Sequence, residues 1–252
     1  MAIAQFPLEF TARRMLAPSV GHYVFRRADG APMDFIAGQF IQIHFAMADG
    51  SAARRSYSLA NVRAVDAPAD GAVEMAVSYV PGGAATALFE ALQPGDVLQA
   101  SGPFGRFTLQ PGDANARYVL IATGTGVTPY RAMLPALEAA MARRGVEVVL
   151  LQGARTLGEL LYHDEFAAFA AQHPGFSYLP CLSRERQDGA QHGYVQQALP
   201  GIAPEPTRDI AYLCGNPDMV DACFEALKAH GLPIPQIRRE KYVSAAAPRP
   251  PA

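Results

Sequence analysis

Hydrophobic and polar positions follow different patterns in the two halves of the chain. Residues 1 to about 112 contain short alternating segments between turn signals, a pattern typical of strands. These predicted strands cover residues 23–26, 40–45, 55–60, 73–80 and 97–101. A helix is predicted at 86–92, where Leu88, Phe89 and Leu92 share one face before Pro94 and Gly95. The first half is therefore predicted to be an antiparallel barrel or sandwich interrupted by one helix.

From about residue 115 continuous apolar runs alternate with helical segments. The runs at 118–122, 146–151, 176–182, 210–214 and 237–243 predict strands, and the segments 129–143, 159–172 and 217–230 predict helices. Gly231 follows the last helix, where a left-handed cap is favourable. Pro135 should cost about 3 kcal/mol or kink its helix. Five buried strands with helical crossovers predict a five-stranded parallel α/β sheet covered on both faces.

Composition narrows the possible functions. The 252 residues are enough for two domains, which we place at 1–112 and 113–252, with the end of the chain (residues 245–252) extended or mobile. A formal charge of -2 excludes a strong bias toward nucleic acid or anionic membranes. The opening does not resemble a signal peptide, and no apolar run approaches the ~20 residues that span a bilayer, so we expect a cytoplasmic protein.

Cysteine and histidine positions exclude several kinds of metal site. Cys181, Cys214 and Cys223 are odd in number and never spaced C-x-x-C, so this sequence holds no disulfide framework and no cluster of four thiolates. The six histidines show no metal-ligand spacing, and most are expected at the surface. If electrons move, an organic cofactor must carry them.

The segment Gly124-Thr125-Gly126-Val127-Thr128-Pro129 joins a predicted strand to a predicted helix. Gly124 and Gly126 would allow a tight turn close to a diphosphate, Thr128 is a good N-cap, and Pro129 suits the first helical position. Free N–H groups and the helix dipole would then favour an anion. The alternative is a tight turn without a ligand, since Pro129 replaces the last glycine of the dinucleotide fingerprint G-x-G-x-x-G.

Three blocks together resemble the ferredoxin–NADP reductase family in its bacterial form. Arg55-Ser56-Tyr57-Ser58-Leu59 comes first, the glycine turn second, and Cys214-Gly215-Asn216-Pro217-Asp218-Met219 third. The resemblance implies a Greek-key β-barrel that binds FAD, followed by an α/β domain that binds NADP. It implies hydride transfer between nicotinamide C4 and flavin N5, then electron exchange with ferredoxin or flavodoxin. We expect a monomer.

The resemblance also assigns roles in FAD binding. Arg55 would pair with the diphosphate, Tyr57 would lie against the isoalloxazine, and Ser58 would hydrogen-bond near flavin N5, all within the segment that includes Ser56. Gly82, Gly83 and Thr86 resemble a second flavin-binding element at the start of a short helix. The alternatives are an ordinary alternating strand with its polar residues outward, and an ordinary capped turn.

Further residues are assigned to the nicotinamide nucleotide. Arg155, Ser183 and Arg184 are candidates for the NADP 2′-phosphate, with a solvated mixed-charge loop as the alternative for the segment that holds Ser183 and Arg184. Cys214 would lie near the nicotinamide, although a free cysteine is also an ordinary core residue.

The end of the last predicted strand carries two more candidates. Glu240 resembles a carboxylate near hydride transfer, or is a surface glutamate. Tyr242 matches an aromatic residue that stacks on the flavin, but ten residues follow it, so Ala245 or the tail could face the flavin instead.

Two rival functions remain open from the sequence. The reductase component of an oxygenase shares both domains but usually carries an iron-sulfur domain with four cysteines. A flavin-binding regulatory or electron-transfer subunit would no longer react with nicotinamide.

Overall fold

A six-stranded antiparallel sheet forms the first domain. The computed structural model describes residues 4–110, 112 and 114–242. The strands are β1 Gln5–Ala17, β2 Val20–Arg27, β3 Phe40–Ala46, β4 Ala52–Ser58, β5 Ala72–Ser78 and β6 Val97–Phe104, with helix α1 at Ala84–Ala91. Their order is β4-β3-β6-β1-β2-β5, and an isolated bridge between Leu59 and Met75 links the two outer strands. The predicted barrel with one helix is confirmed.

Strand β1 was missed by the sequence analysis. Its buried and exposed positions alternate only over the first six residues, and its pairing with β2 shifts register between Phe10 and Ala12 and again between Met15 and Ala17. Each irregularity breaks the two-residue period on which a strand prediction depends.

A parallel six-stranded sheet forms the second domain. It contains β7 Arg117–Thr123, β8 Glu147–Ala154, β9 Phe176–Leu182, β10 Gln191–His192, β11 Asp209–Gly215 and β12 Ile237–Lys241, in the order β10-β9-β8-β7-β11-β12. The helices are α2 Thr128–Arg144, α3 His163–Gln172, α4 Val195–Ile202 and α5 Pro217–Ala229. Short 3-10 turns cover Gly124–Val127, Leu157–Glu159 and Ile234–Gln236.

The parallel sheet has six strands, one more than the five that were predicted. The additional strand β10 is two exposed residues long, too short to produce a pattern. Helix α4 was also missed, because Pro200 and Gly201 in its last turn read as helix breakers. Helix α2 runs through Pro135, since buried Met133, Leu134 and Leu137 on either side pack into the core.

The sheet is covered on both faces, and the barrel packs against one of them. Helices α2 and α3 cover one face, while α4 and α5 cover the other. Ala17, Val20 and Ala76 from the barrel join the hydrophobic cluster under α2 and α3, so the two domains share that core.

Several predictions concern the ends and the surface of the domains. The boundary at 112/113 lies in the connection between β6 and β7 and stays a prediction, and residues 243–252, including Ala245, lie outside the described part. Of the six histidines, most of which were expected at the surface, only His22 is buried; His192 and His230 are exposed and the other three are half-buried. Within the described residues, no helix combines the length and apolar character needed to cross a membrane.

A buried ion pair fastens the start of β7 to the start of β11. Arg117 Nε and Nη2 donate to the two carboxylate oxygens of Asp209 at 2.8 and 2.6 Å, and the Asp209 side chain is fully buried. Asp209→Asn should lower the free energy of unfolding by about 3–5 kcal/mol, because it leaves the Arg117 charge without its partner. Denaturant unfolding of the purified protein measures this. Lys228→Met, which breaks the exposed pair with Glu225, should change it by less than about 0.5 kcal/mol, and equal effects would contradict the prediction.

Candidate functional site

Two adjoining cavities open between the domains. The first, the barrel cleft, has a volume of about 620 Å³ and lies between β4, the first turn of α1, the β7–α2 turn and the end of β12. The second, the sheet-edge groove, has about 730 Å³ and follows the carboxyl ends of β7, β8, β9 and β11. Ser78 lines both cavities. Carboxyl ends of parallel strands are where open α/β sheets bind ligands.

Strand β4 supplies one wall of the barrel cleft. Arg55, Ser56, Tyr57 and Ser58 all line it, and their predicted contacts with flavin stay a prediction. The Tyr57 ring packs edge-on against Phe89, with ring centroids 5.1 Å apart, which fixes the orientation of the ring. Among the described residues no carboxylate pairs with Arg55; its Nη1 donates to the Arg54 carbonyl oxygen at 2.9 Å, and the other N–H groups can bind an anion in the cleft.

The first turn of α1 supplies the neighbouring wall. Gly83 and Thr86 line the cleft, whereas Gly82 is in the preceding turn and does not. Thr86 Oγ1 accepts a hydrogen bond from the Val80 N–H at 2.8 Å, so this oxygen holds the turn together. The first-turn N–H groups of α1 have no helical acceptor and can face an anion.

The glycine turn between β7 and α2 is held against β11. Gly124 adopts φ +54° and is open to the groove, where a side chain would be strained. Gly126 is buried, and a Cβ there would lie 2.2 Å from the Cys214 carbonyl oxygen. Glycine at 126 is therefore required by the approach to β11, while its predicted role toward a diphosphate stays a prediction. Thr125 lines the barrel cleft.

Thr128 is not the N-cap that the sequence predicted. Its backbone is helical, Val127 occupies the cap position, and no side-chain cap bond forms, because the 3-10 turn leads directly into α2. The Thr128 hydroxyl is buried, lines the barrel cleft, and has no hydrogen-bond partner in the described part of the chain. A buried hydroxyl without a partner costs about 1–3 kcal/mol. A polar ligand such as FAD fits this wall, since it would supply the missing partner.

The aromatic residue at the end of the described chain closes the cleft. The Tyr242 hydroxyl forms a short hydrogen bond with Ser58 Oγ, and the Tyr242 side chain packs against the hydrophobic cluster that contains Cys214. Cys214 is fully buried and lines neither cavity, which agrees with the alternative that it is an ordinary core residue. Burial raises the pKa of the Cys214 thiol well above its usual value, so the thiol stays protonated.

Glu240 lines the barrel cleft next to these groups. It pairs in register with Cys214 across β11 and β12, and burial raises the pKa of its carboxyl to about 7. Near neutral pH this carboxyl is therefore present in both its protonated and ionised forms.

The sheet-edge groove contains only some of the residues predicted to bind a 2′-phosphate. Arg155 and Ser183 line it, but Arg184 is exposed and does not. Arg155 Nε and Nη2 already donate to the two carboxylate oxygens of Glu159 at 2.9 and 2.5 Å. Glu185 turns away to accept the Leu157 N–H at 2.8 Å. An incoming phosphate would have to compete with Glu159.

Two groove residues were missed by the sequence analysis, namely Glu159 and Tyr194; Asp218 also lines the groove and belongs to the third block of the resemblance. Tyr194 precedes α4 and is 61% exposed, which suits a planar group stacked on its ring. Its sequence signal is an aromatic residue directly after Gly193 in a polar segment. Asn216 caps α5, because its side chain accepts from the Asp218 and Met219 N–H groups.

Family comparisons match both domains. A family model described as an oxidoreductase FAD-binding domain matches residues 7–109, and one described as an oxidoreductase NAD-binding domain matches residues 120–225. The chain is 35% identical over 248 residues to ferredoxin–NADP reductase B of Sorangium cellulosum, covering 94% of this chain and 97% of that protein. It is 37% identical over 219 residues to the reductase subunit of an Amycolatopsis aromatic O-demethylase, covering 85% of this chain.

Solved structures agree with these matches. The Amycolatopsis cytochrome P450 reductase GcoB has a TM-score of 0.83 at 33% identity, covering 97% of this chain and 71% of that one. A ferredoxin–NADP reductase from Neisseria gonorrhoeae with bound FAD and NADP has a TM-score of 0.80, covering 94% and 98%, and at 22% identity it shows the shared fold. The chain spans 63% of the O-demethylase reductase subunit and 60% of the reductase component of a Pseudomonas phenol 2-monooxygenase.

The raised pKa of Glu240 predicts how stability changes with pH. The usual pKa of a glutamate carboxyl is 4.5, and the pKa of Glu240 in the folded protein is about 7. Glu240 therefore contributes stability that is fully present below about pH 4.5 and is lost as the pH rises through about 7. Relative to Glu240→Gln, the wild type should lose up to about 3 kcal/mol of unfolding free energy between pH 5 and 8. Denaturant unfolding across this range measures the loss. Glu225→Gln on the exposed face of α5 is the control, and a constant difference between wild type and Glu240→Gln would refute the prediction.

Proposed function

The chain belongs to the ferredoxin–NADP reductase family of FAD- and NAD-binding oxidoreductases, and from this membership we propose that it exchanges electrons between NADP(H) and a separate ferredoxin or flavodoxin. The observation that supports this function most strongly is the convergence of distant segments on one cleft. Arg55 to Ser58, Thr128 and Tyr242 all line it, and the cleft continues into the groove at Ser78.

The barrel cleft is assigned to FAD. When bound, FAD supplies the exchange of hydride with nicotinamide and of single electrons with the carrier. Arg55 and the first turn of α1 bind the diphosphate, because a guanidinium fork and free N–H groups both suit phosphate oxygens. Tyr57 presents its ring to the isoalloxazine, and the Thr128 hydroxyl gains the hydrogen-bond partner it lacks. These residues hold the ring system in place.

Tyr242 and Glu240 are assigned to the nicotinamide end of the cleft. The Tyr242 hydroxyl binds Ser58, and its side chain packs against the cluster that contains Cys214, so Tyr242 excludes water there until the nicotinamide displaces it. Glu240 lies beside this position and holds or releases a proton near neutral pH. Alignment, not nucleophilic attack, is what these side chains contribute.

The sheet-edge groove is assigned to the rest of NADP(H). The Thr123 to Gly126 turn faces the diphosphate, and Tyr194 stacks on the adenine ring. Arg155 and Ser183 bind the 2′-phosphate, with Arg184 approaching from the exposed side. To bind the phosphate, the Arg155 guanidinium must break its hydrogen bonds with the Glu159 carboxylate.

The second candidate function is the reductase component of an oxygenase. It is favoured by the identity of 37% to the O-demethylase reductase subunit and by the likeness to GcoB. The two functions share the nicotinamide and flavin steps and differ in the electron acceptor. Reduction of a purified [2Fe–2S] ferredoxin, a flavodoxin and an oxygenase component by the same protein separates them.

Rapid mixing with NADPH and NADH tests the proposed function directly. The protein should purify with bound FAD, and NADPH should bleach it. Arg155→Ala and Arg184→Ala should each lower kcat/KM for NADPH about tenfold or more, since each removes a hydrogen bond to a charged group, and change it for NADH less than about twofold. Arg186→Ala, an exposed neighbour, is the control. Equal losses with both nucleotides would rule out the 2′-phosphate role, and a chain that binds no FAD would overturn the function.

Thr128→Val tests whether the unpaired hydroxyl faces FAD. Without FAD the variant should be about 1 kcal/mol more stable than the wild type, because a buried unsatisfied group is gone. FAD should bind it about five- to tenfold more weakly, because one hydrogen bond is lost. Thermal unfolding of the flavin-free protein and a fluorescence titration with FAD measure the two effects. Thr207→Val, at an exposed turn, should change neither, and unchanged FAD affinity in Thr128→Val would remove this contact from the site.

A further inference from the structure

We propose that Arg131 is a positioning residue, which binds Glu74 across the domain interface and thereby sets the separation of the two walls between which hydride is transferred. The inference rests on the proposed function. Arg131 lies in α2 of the second domain, and Glu74 lies in β5 of the barrel.

The Arg131 side chain makes three contacts, two of which connect the domains. Its Nη1 donates to Glu74 Oε2 at 2.8 Å and to the Ala60 carbonyl oxygen at 2.5 Å, both in the barrel. Its Nε donates to Glu165 Oε2 in α3 at 2.5 Å. The Arg131 side chain is only 12% exposed, so solvent screens these contacts little.

The placement of the pair connects it to the cleft. Residues 74, 76 and 78 share one face of β5, because side chains alternate along a strand. Ala76 and Ser78 line the barrel cleft two and four residues from Glu74. On the opposite wall Thr128 lines the same cleft and lies one helical turn before Arg131. The ion pair between Arg131 and Glu74 therefore joins α2 to β5, the two elements that line the cleft. It lies directly behind the residues that face the ligands.

A second crossing contact acts on the same carboxylate. His22 Nε2 lies 3.3 Å from Glu74 Oε2, and a 2.9 Å hydrogen bond joins His22 Nδ1 to the Tyr162 hydroxyl of the second domain. Tyr162 is buried with φ +57°, a left-handed conformation that non-glycine residues rarely adopt. The Arg131 guanidinium lies 4.9 Å from the centroid of the Tyr162 ring. A strained, buried tyrosine that bonds across the interface indicates a fixed arrangement.

The charges of the cluster agree with this role. Burial raises the pKa of the Glu74 carboxyl, but hydrogen bonds from His22 and Arg131 outweigh it and the net shift is downward. Glu74 is therefore ionised at neutral pH. The remaining charges that face the cluster are Glu165 and Arg14, which pair at 2.7 Å with side chains 35% and 53% exposed. That pair also crosses the interface, but at its solvent-exposed rim.

Single-turnover reduction of the bound flavin by NADPH tests the proposal. Arg131→Met should lower the limiting rate constant about tenfold or more, while the apparent Kd of NADPH changes less than about threefold, because misplaced walls affect hydride transfer more than binding. Arg131→Lys, which keeps the charge, should restore part of the rate. Arg131→Met combined with Glu74→Met should be no slower than Arg131→Met, because the two residues act as one unit.

A second measurement does not depend on the reaction. Amide hydrogen exchange in β5 and in the first turns of α2 should accelerate in Arg131→Met relative to the rest of each domain. Arg14→Met, which removes the rim pair, is the matched control and should leave both the rate constant and the exchange unchanged. Wild-type reduction kinetics in Arg131→Met would refute the positioning role while leaving the proposed function intact. A wild-type flavin that neither nucleotide reduces would instead refute the proposed function.

Discussion

The close backbone approach between the glycine turn and the end of β11 is the constraint on which the site depends. A single methyl group at Gly126 would lie 2.2 Å from the Cys214 carbonyl oxygen, and one at Gly215 would lie 2.5 Å from the Thr123 carbonyl oxygen. The Tyr242 N–H donates to the Gly215 carbonyl oxygen at 2.8 Å. Three strand ends therefore meet at one point, and this meeting brings Tyr242 to Ser58 of the barrel, 184 residues earlier in the chain.

The parts of the fold that the sequence could predict are those with a clear local pattern. The continuous apolar run of β7 and the capped helix α5 were predicted because burial on both faces, or a side-chain cap, is visible within a few residues. Strand β1 was not predicted, because its two register shifts are set by its pairing with β2, which no local pattern records. Tertiary packing likewise overrides local signals in α2 and α4, where proline lies inside the helix.

The candidate site was predictable as a set of segments and much less so as a set of contacts. Arg55 to Ser58 were singled out by a family resemblance and the glycine turn by its place between a strand and a helix, and both segments line the cavities. Whether a side chain is free to bind depends instead on its neighbours in space. Arg155 pairs with Glu159 four residues away, whereas the Thr128 hydroxyl has no partner among the residues that the structure describes, and neither fact follows from residue type. Such differences decide which predicted residues a ligand can reach.

The chemistry of the site follows from which groups can change their charge. Burial raises the pKa of Cys214, Cys181 and Cys223 above the usual thiol value, so the thiolate form that would act as a nucleophile is suppressed at all three. Glu240, whose pKa is about 7, holds a proton that it can release near neutral pH. A cleft that is lined by hydroxyl groups and one such carboxyl, and by none of these three thiols, suits a reaction carried by cofactors. The contribution of the protein is then to fix the distance between them and to keep water out.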